Sequence, residues 1–231
     1  LQDANALRLG AMSLTGTGTT LDITTTGVLS QAANPTRITS NGNTIINTGA
    51  NAITLGNTNN DFGGTVSLTN TAGNVIIADA NNIDFATTSL GNGTFTVNAG
   101  QVTAGGITQT GGTVTQAVGA GVTTFNAGAG VINLSDNNNQ FTGTVVLQNS
   151  GNNNVVVHDR DALRLGASNV GTGTLTLNAG RVSGGGISQV GAIKQAATSN
   201  TTTSTVSLNG GNGDVILEDN QNAFIGPIDF T

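Results

Sequence analysis

One set of motifs recurs about every 80 residues, and this repeat limits the available folds more than any other feature of the chain. The first landmark is an acidic segment, which reads DANALRLG from Asp3, DANNIDF from Asp79 and DRDALRLG from Asp159. The second landmark is a three-residue motif that ends in glutamine, LSQ at 29–31, ITQ at 107–109 and ISQ at 187–189. Similarity at a constant long period is typical of repeat proteins. We therefore expect nearly three copies of one structural unit.

Two further landmarks keep the same order within each unit. Residues 52–55 (AITL) match residues 131–134 (VINL), and residues 60–66 (NDFGGTV) match residues 139–145 (NQFTGTV), in both cases 79 residues later. A degenerate third copy, NAFIGPI, occupies residues 222–228. The landmarks divide the chain into super-repeats at about 3–78, 79–158 and 159–231. We interpret residues 1–231 as a single continuous segment, cut from a longer repeat protein.

Short runs of alternating apolar and polar residues recur about every ten residues within each unit, for example at 94–97 (TFTV) and 132–134 (INL). Alternation with a period of two predicts strands with one face buried. Clusters of Gly and Asn separate the runs and supply tight turns. An antiparallel sandwich or barrel would also suit evenly spaced short strands. A stack of near-identical coils explains the similarity between units better, because each coil then packs on a near copy of itself.

The sequence therefore predicts an all-β parallel β-solenoid of roughly eleven coils, with about 20 residues per coil and about four coils per super-repeat. Val, Ile, Leu and Ala should fill the inward positions, and Asn side chains at recurring turns should pair along the stack. Seven phenylalanines should add bulk inside: Phe62, Phe85, Phe95, Phe125, Phe141, Phe224 and Phe230.

Composition supports this interpretation and excludes several classes of protein. Charged residues are 8 % of the chain, too few for Lys/Glu-rich amphipathic helices, while 36 % apolar residues argue against disorder. The net charge is −6 and the six basic residues form no run, so nucleic acid and anionic membrane surfaces are not expected partners. No apolar stretch approaches the ~20 residues that span a bilayer. Without cysteine, thiolate zinc sites and cysteine nucleophiles are excluded.

The densest group of ionisable residues is His158, Asp159, Arg160 and Asp161. Acid-base catalysis would need two such groups to meet in one cleft. The acidic segments of the other repeats carry Asp3 or Asp79 at the position of Asp159, so that aspartate belongs to the repeat pattern. We expect a solvated turn there, and no catalytic residue.

Other candidate sites have weaker patterns. Residues 210–214 (GGNGD), followed by Glu218 and Asp219, resemble a calcium-binding nonapeptide but are one residue short and occur once. Arg8 and Arg164 are equivalent, and we expect both to face solvent on strands. Thr-x-Thr pairs would suit an ice-binding surface only at a fixed place in every coil, and they keep none: they lie at 17/19, 94/96, 113/115 and 174/176. We predict no metal-binding or cofactor-binding residue.

The acidic segments DANALRLG (3–10) and DRDALRLG (159–166), together with GTFTVNAG (93–100), GTLTLNAG (173–180) and NDFGGTV (60–66), resemble repeats of giant bacterial surface proteins. These are filamentous-haemagglutinin-like exoproteins and autotransporter passenger domains. The resemblance covers nearly the whole chain. It implies a right-handed parallel β-helix that is exported across the outer membrane of a Gram-negative bacterium. The Asn-Pro-rich secretion domain of two-partner systems is echoed only at Asn34-Pro35, which leaves the secretion route open.

From these observations we expect a structural or adhesive stalk at the cell surface or outside the cell, used in adhesion, aggregation or biofilm, and not an enzyme. The alternative is a carbohydrate-binding or carbohydrate-active β-helix with a lateral groove. Expected partners are neighbouring coils, other copies joined end to end, and a host or cell-surface glycan or protein receptor. We expect no nucleic acid, no membrane insertion and no cofactor.

Overall fold

The computed structural model describes residues 1–33, 35–103, 105–196 and 204–231. Within these ranges all regular secondary structure is β-strand, and every pairing between named strands is parallel. No helix with the length and apolar character of a membrane span occurs in this part of the chain.

The strands are short and follow one another closely along the chain. They are β1 (Gln2–Asp3), β2 (Leu7–Leu9), β3 (Met12–Leu14), β4 (Leu21–Thr25), β5 (Leu29–Gln31), β6 (Ile38–Ser40), β7 (Thr44–Asn47), β8 (Ile53–Leu55), β9 (Asp61–Phe62), β10 (Thr65–Thr69), β11 (Val75–Ala78), β12 (Ile83–Phe85), β13 (Thr88–Leu90), β14 (Phe95–Asn98), β15 (Ile107–Gln109), β16 (Val114–Gln116), β17 (Thr123–Asn126), β18 (Ile132–Leu134), β19 (Thr144–Asn149), β20 (Val155–His158), β21 (Leu163–Leu165), β22 (Ser168–Val170), β23 (Leu175–Asn178), β24 (Ile187–Gln189), β25 (Ile193–Gln195), β26 (Val206–Asn209), β27 (Val215–Ile216) and β28 (Ile228–Phe230).

Two long parallel sheets form opposite walls of a solenoid. Sheet A follows the path β1-β4-β7-β10-β12-β15-β18-β20-β23-β26-β28, and sheet B follows β2-β5-β8-β11-β14-β17-β19-β21-β24-β27. Successive strands of sheet A pair Gln2 with Thr24 and Thr24 with Asn47, so one turn takes about 22 residues. The chain makes about ten turns, close to the predicted eleven, and forms a rod about 50 Å long at a strand spacing of about 4.8 Å. The predicted parallel β-solenoid is confirmed.

Alternation places the apolar residues inside the rod. In β14, Phe95 and Val97 are buried while Thr96 and Asn98 are half-buried. Four phenylalanines form an edge-to-face stack through the core, with ring centroids 5.7 Å apart for Phe85–Phe95 and 5.8 Å apart for Phe95–Phe125 and Phe125–Phe141. The expectation that every phenylalanine lies inside is wrong for Phe230. Its side chain, in the strand β28, is 69 % exposed.

Glycine is required where successive coils touch through their backbones. A Cβ atom at Gly130 would lie 1.1 Å from the carbonyl oxygen of Gly105 in the coil below. A Cβ at Gly226 would lie 1.2 Å from the carbonyl oxygen of Ser204. At such turns any side chain would push two coils apart, which explains part of the high glycine content.

The sequence repeat spans a half-integral number of turns. The equivalent strands β2, β12 and β21 lie in sheets B, A and B, and the equivalent strands β7, β17 and β26 lie in sheets A, B and A. Each repeat contributes seven strands to the two walls, which is three and a half turns. The count is close to the expected four coils per unit, and equivalent residues of successive repeats lie on opposite walls. Repeats are related by a half-turn about the rod axis together with a shift along it.

Short third strands form lateral ladders where the chain passes from one wall to the other. β3, β6 and β9 pair on the path from sheet B to sheet A. β13, β16 and the bridge residue Gln140 pair on the path from A to B, and β22, β25 and Ala223 pair again on the path from B to A. Successive ladders therefore lie on alternate edges of the rod.

Candidate functional site

His158 is the last residue of β20, and its ring lies between two side-chain amides. Its Nε2 is 2.7 Å from Asn178 Nδ2 and its Nδ1 is 2.9 Å from Asn137 Oδ1. An amide nitrogen can only donate, so Nε2 accepts and Nδ1 carries the proton. Arg181 Nε also donates to Asn137 Oδ1 at 3.1 Å. Burial, with the nearby charge of Arg181, lowers the pKa of His158 below its ordinary value and favours this neutral ring.

Asp159, the next residue, points into the rod and is fully buried. Its carboxylate accepts hydrogen bonds from the backbone N–H of Phe141 at 2.8 Å and of Asp161 at 2.8 Å. Burial raises the pKa of Asp159 to about 6. The expectation of a solvated turn is wrong at this residue, because the carboxylate satisfies two backbone donors inside the turn.

Asp79 repeats this arrangement one unit earlier. It is fully buried and accepts from Phe62 N–H at 2.6 Å and Asn81 N–H at 2.8 Å. Burial raises the pKa of Asp79 to about 6 as well, and Asp61 adds to the rise. The aspartate at the start of a repeat thus accepts a hydrogen bond from the backbone N–H of the phenylalanine in the preceding repeat.

The ionisable cluster around His158 does not converge on one cleft. His158 is the last residue of β20 and is half-buried, whereas Asp159 follows the strand and is fully buried. Asp161 accepts from Gln140 Nε2 at 2.9 Å and Ser183 Oγ at 2.5 Å, and lies 3.7 Å from Arg160 Nε. The side chains of His158, Asp159 and Asp161 thus have different hydrogen-bond partners, and no two of them form an acid-base pair.

The glutamine and asparagine landmarks bind each other, a contact that the sequence patterns do not reveal. Gln31 Nε2 donates to Asn60 Oδ1 at 2.7 Å and Asn60 Nδ2 donates to Gln31 Oε1 at 3.0 Å. The same reciprocal bonds join Gln109 to Asn139 and Gln189 to Asn222. We call these three pairs the amide clasps. Near-constant separations of 29, 30 and 33 residues are the sequence signal for them.

Each amide clasp also satisfies two backbone groups. Asn139 Oδ1 accepts from Val114 N–H at 2.8 Å, and Asn139 Nδ2 donates to the Leu134 carbonyl at 3.1 Å. Asn60 and Asn139 are fully buried, whereas Asn222, in the outer coil, is half-buried. The clasps thus hold the start of one strand in each lateral ladder, β6, β16 or β25, to the coil beside it. Amide pairing along the stack also occurs between Asn126 and Asn98, at 3.3 Å.

The glycine-rich segment before Asp214 forms a tight turn, in which Gly213 N–H donates to the Gly210 carbonyl at 3.1 Å. Asp214 and Glu218 are exposed and Asp219 is half-exposed. In the described ranges no three His, Cys, Asp or Glu side chains are placed to hold a metal ion. The geometry thus gives no support to calcium binding at this turn.

The remaining candidates are surface features. Arg8 and Arg164 are exposed on strands, as expected. The pairs Thr94/Thr96 and Thr174/Thr176 lie at β14 in sheet B and β23 in sheet A, so the half-turn places them on opposite walls and they do not form one flat array. Asn34 of the Asn34-Pro35 echo lies outside the described residues.

A shallow depression beside the second lateral ladder is lined by polar side chains. Asn70, Thr71, Gln116 and Gln140 contribute to it. Gln116 Nε2 donates to Thr123 Oγ1 at 2.8 Å, while its buried Oε1 has no hydrogen-bond partner among the described residues.

Comparison with known proteins gives one family. The family described as "Repeats of unknown function (DUF5649)" matches residues 1–69, 72–148 and 152–231. The second and third matches start seven residues before the acidic segments at Asp79 and Asp159, so the family repeat and the super-repeats defined above begin at different points of the same unit. No curated protein and no solved structure matches the chain. Because the three matches together cover almost all of its length, the chain belongs to the DUF5649 repeat family.

Proposed function

We propose that this chain is a stalk segment of a large secreted bacterial surface protein, which spaces or presents adhesive parts away from the cell. One observation carries this proposal: the same contacts join every repeat to the next without interruption. Phe62 to Asp79 at one junction and Phe141 to Asp159 at the other make the same buried hydrogen bond. A rod that continues through its repeat boundaries can be lengthened without a change of architecture.

The direction of the hydrogen bonds suits such a role. Strands run across the rod, so their interstrand hydrogen bonds lie along its axis and hold each coil to the next. Neighbouring coils are thus the partners that maintain the rod, and polar side chains such as those of the amide clasps reinforce the stack. A long, regular side wall also suits many weak contacts acting together.

The surface location rests on the resemblance to filamentous-haemagglutinin-like and autotransporter-passenger repeats, with export across the outer membrane of a Gram-negative bacterium. The absence of cysteine from the sequence is compatible with that location, because a stacked rod is stabilised without disulfides. Adhesion, aggregation and biofilm formation are the activities that such a stalk would serve, with a glycan or protein receptor.

A carbohydrate-binding or carbohydrate-active β-helix is the second candidate. The shallow polar depression lined by Asn70, Thr71 and Gln140 favours it. Ligand pockets usually combine a few polar groups with aromatic walls, and this chain has no Trp or Tyr. The depression therefore supports weak sugar contact better than a deep substrate site.

Surface display tests the stalk proposal. The chain is anchored in the outer membrane of a Gram-negative host, with a fluorophore at its free end and a quencher in the membrane. We expect the fluorophore to stand about 50 Å farther out than one on the anchor alone. Phe95→Asp, which places a charge in the core, should abolish the spacing, whereas the exposed-site control Val118→Asp should keep it. An unchanged distance for the native chain would overturn the stalk.

A glycan array and a polysaccharide-degradation assay separate the two candidates. The stalk proposal expects no degradation, and glycan signals that are unchanged by Thr71→Ala, which alters an exposed side chain of the depression. Binding or cleavage that is lost on this substitution would favour the carbohydrate function.

A further inference from the structure

The two walls of the rod carry charges of opposite sign. Within the described ranges, the Lys, Arg, Asp and Glu residues on strands of sheet A are four aspartates: Asp3, Asp22, Asp84 and Asp229. The strands of sheet B, together with its side strands β22 and β25, carry three basic residues and no acidic one in that part of the chain: Arg8, Arg164 and Lys194. One wall is therefore negative and the other is positive.

Four of these charges lie on coils that have a neighbour on each side. Asp22 on β4 lies between β1 and β7, and Asp84 on β12 lies between β10 and β15. Arg164 on β21 lies between β19 and β24, and Lys194 on β25 pairs with β22 and with the bridge residue Ala223. Three of the four side chains are exposed, and that of Asp84 is half-buried. The difference in charge thus belongs to the side walls and does not depend on the ends of the rod.

The walls between these charges are even, because their outward side chains are short. On sheet B one row of paired residues runs through six successive coils, and all but the serine are β-branched: Ser30, Thr54, Ile76, Thr96, Thr124 and Val146. A comparable row on sheet A runs through four coils: Asn133, Val156, Thr176 and Ser207. Sheets with short side chains can pack face to face at about 10 Å.

We propose that a second copy of this chain packs side by side with the first, with sheet B of one rod against sheet A of the other. Opposite charges then face each other across the contact, whereas sheet A against sheet A, or sheet B against sheet B, would bring like charges together. A second copy also matches the spacing of the wall, since the coils of both rods repeat every ~4.8 Å and their side-chain rows can interdigitate. The proposal does not rest on the stalk function.

The two walls face in opposite directions, so each rod has one positive and one negative surface to offer. A contact of sheet B with sheet A therefore leaves one wall free on each partner, and further copies can add to both sides of the pair. The expected product is an open row of rods that lie side by side.

The size of the wall limits the strength of this contact. Strands of about four residues span about 13 Å and the rod is about 50 Å long, so each copy contributes about 650 Å². The pair then buries roughly 1,300 Å² in total, which is near the lower limit for specific interfaces. The charges mainly select which walls meet, since exposed ion pairs add little free energy. We therefore expect weak, reversible association that grows stronger when more repeats take part.

Charge reversal on each wall tests the contact by sedimentation equilibrium. One triple variant, Arg8→Glu, Arg164→Glu, Lys194→Glu, makes both walls negative. The other, Asp22→Lys, Asp84→Lys, Asp229→Lys, makes both walls positive and brings the net charge from −6 to zero. Each should raise the dissociation constant at least about tenfold relative to the native chain. For the second variant this loss cannot come from overall repulsion, because its net charge is smaller than that of the native chain.

Two matched samples should restore the association. An equimolar mixture of the two triple variants brings positive walls against negative ones again. The variant with all six substitutions exchanges the signs of the two walls at an unchanged net charge of −6, and it should associate as the native chain does. Val118→Asp, which adds a charge at a site that is 90 % exposed in the turn between β16 and β17, should also leave association unchanged.

Circular dichroism checks that each variant keeps its β-structure. If a triple variant does not, the single substitutions at exposed sites, Arg164→Glu and Asp22→Lys, take its place and should each weaken association. Triple variants that associate as strongly as the native chain, or a folded mixture that stays monomeric, would overturn the proposal.

Small-angle X-ray scattering distinguishes side-by-side from end-to-end association. The associated native chain should keep a length of about 50 Å and become thicker. Growth in length in steps of about 50 Å at constant thickness would overturn the proposal, and so would a native chain that stays monomeric at millimolar concentration.

Discussion

Ionisation of two buried aspartates should make the solenoid less stable at neutral pH than in mild acid. Asp79 and Asp159 each accept two backbone hydrogen bonds, but burial outweighs these bonds and raises both pKa values from 3.8 to about 6. Asp61 adds to the rise at Asp79. At Asp159 the effect of Asp161 is opposed by Arg160.

The sign and size of the effect follow from proton linkage. Below pH 3.8 each aspartate is protonated in both the folded and the unfolded chain. In that range its contribution to the free energy of unfolding is at its maximum. As the pH rises toward 6 the unfolded chain loses its protons first, so the free energy of unfolding falls. A pKa difference of about 2 units corresponds to about 3 kcal/mol for each aspartate, or about 6 kcal/mol for both. Above pH 6 to 7 the curve should be flat.

Over part of this pH range, the ionisation of His158 changes the free energy of unfolding with the opposite sign. Its lowered folded pKa means that stability is lost as the pH falls below its ordinary value of 6.5. The measurement is therefore best made on a His158→Gln background. Gln2 holds the equivalent position in the first repeat, so the substitution keeps a residue that the repeat already uses.

Urea unfolding, followed by circular dichroism from pH 3.5 to 8, measures the effect. Asp79→Asn and Asp159→Asn should each remove about half of the pH dependence. In mild acid each should also lower the free energy of unfolding by about 1–3 kcal/mol, because an amide has one acceptor oxygen for two backbone donors. This difference from the native chain should shrink as the pH rises, because the native aspartate becomes charged in its buried site and the amide does not. Asp22→Asn is the matched control, since Asp22 is exposed on β4, and it should leave the curve unchanged.

A free energy of unfolding that is constant or rises between pH 4 and 6 on the His158→Gln background would refute this reasoning. So would an undiminished pH dependence in the Asp79→Asn, Asp159→Asn double variant. Either result would mean that the two backbone N–H donors stabilise the charged carboxylates enough to offset burial.

Three further substitutions test the packing, each by urea unfolding at one pH. Phe125→Ala removes a central ring of the aromatic stack and should lower the free energy of unfolding by about 3–5 kcal/mol. A decrease below about 1 kcal/mol would contradict the packing described. Asn139→Ala should cost about 3 kcal/mol by leaving buried backbone groups unpaired, while Asn222→Ala, in the half-buried outer clasp, should cost clearly less. Gly130→Ala should lower the free energy of unfolding by at least about 2 kcal/mol, whereas Gly10→Ala, whose added Cβ meets no atom, should leave it nearly unchanged. Equal effects of the two substitutions would contradict the contact between coils at Gly130.

Much of the local structure follows from the sequence. Alternation in TFTV and INL correctly places Phe95, Val97, Ile132 and Leu134 inside. These predictions succeed because a strand has only two faces, and apolar side chains at every second position gain free energy by leaving water.

The contacts that hold the candidate regions together were not predictable in the same way. Asp159 looks like a solvated turn residue because aspartate is common in turns, yet the Phe141 N–H that it satisfies comes from 18 residues earlier, in another coil. Gln109 and Asn139 are recognisable as separate landmarks, but their pairing depends on how far the intervening chain travels around the rod.

By itself, the sequence determined that this chain is an all-β repeat whose coils stack, since the spacing of its landmarks and the alternation within them are local properties. Only the tertiary structure decided that equivalent residues alternate between two walls. The residue count per turn varies from 19, between Thr65 and Asp84, to 31, between Leu175 and Val206, because turns differ in length. A period counted in residues therefore does not give the number of turns, and the odd number of wall strands per repeat becomes visible only when each strand is seen beside its neighbour.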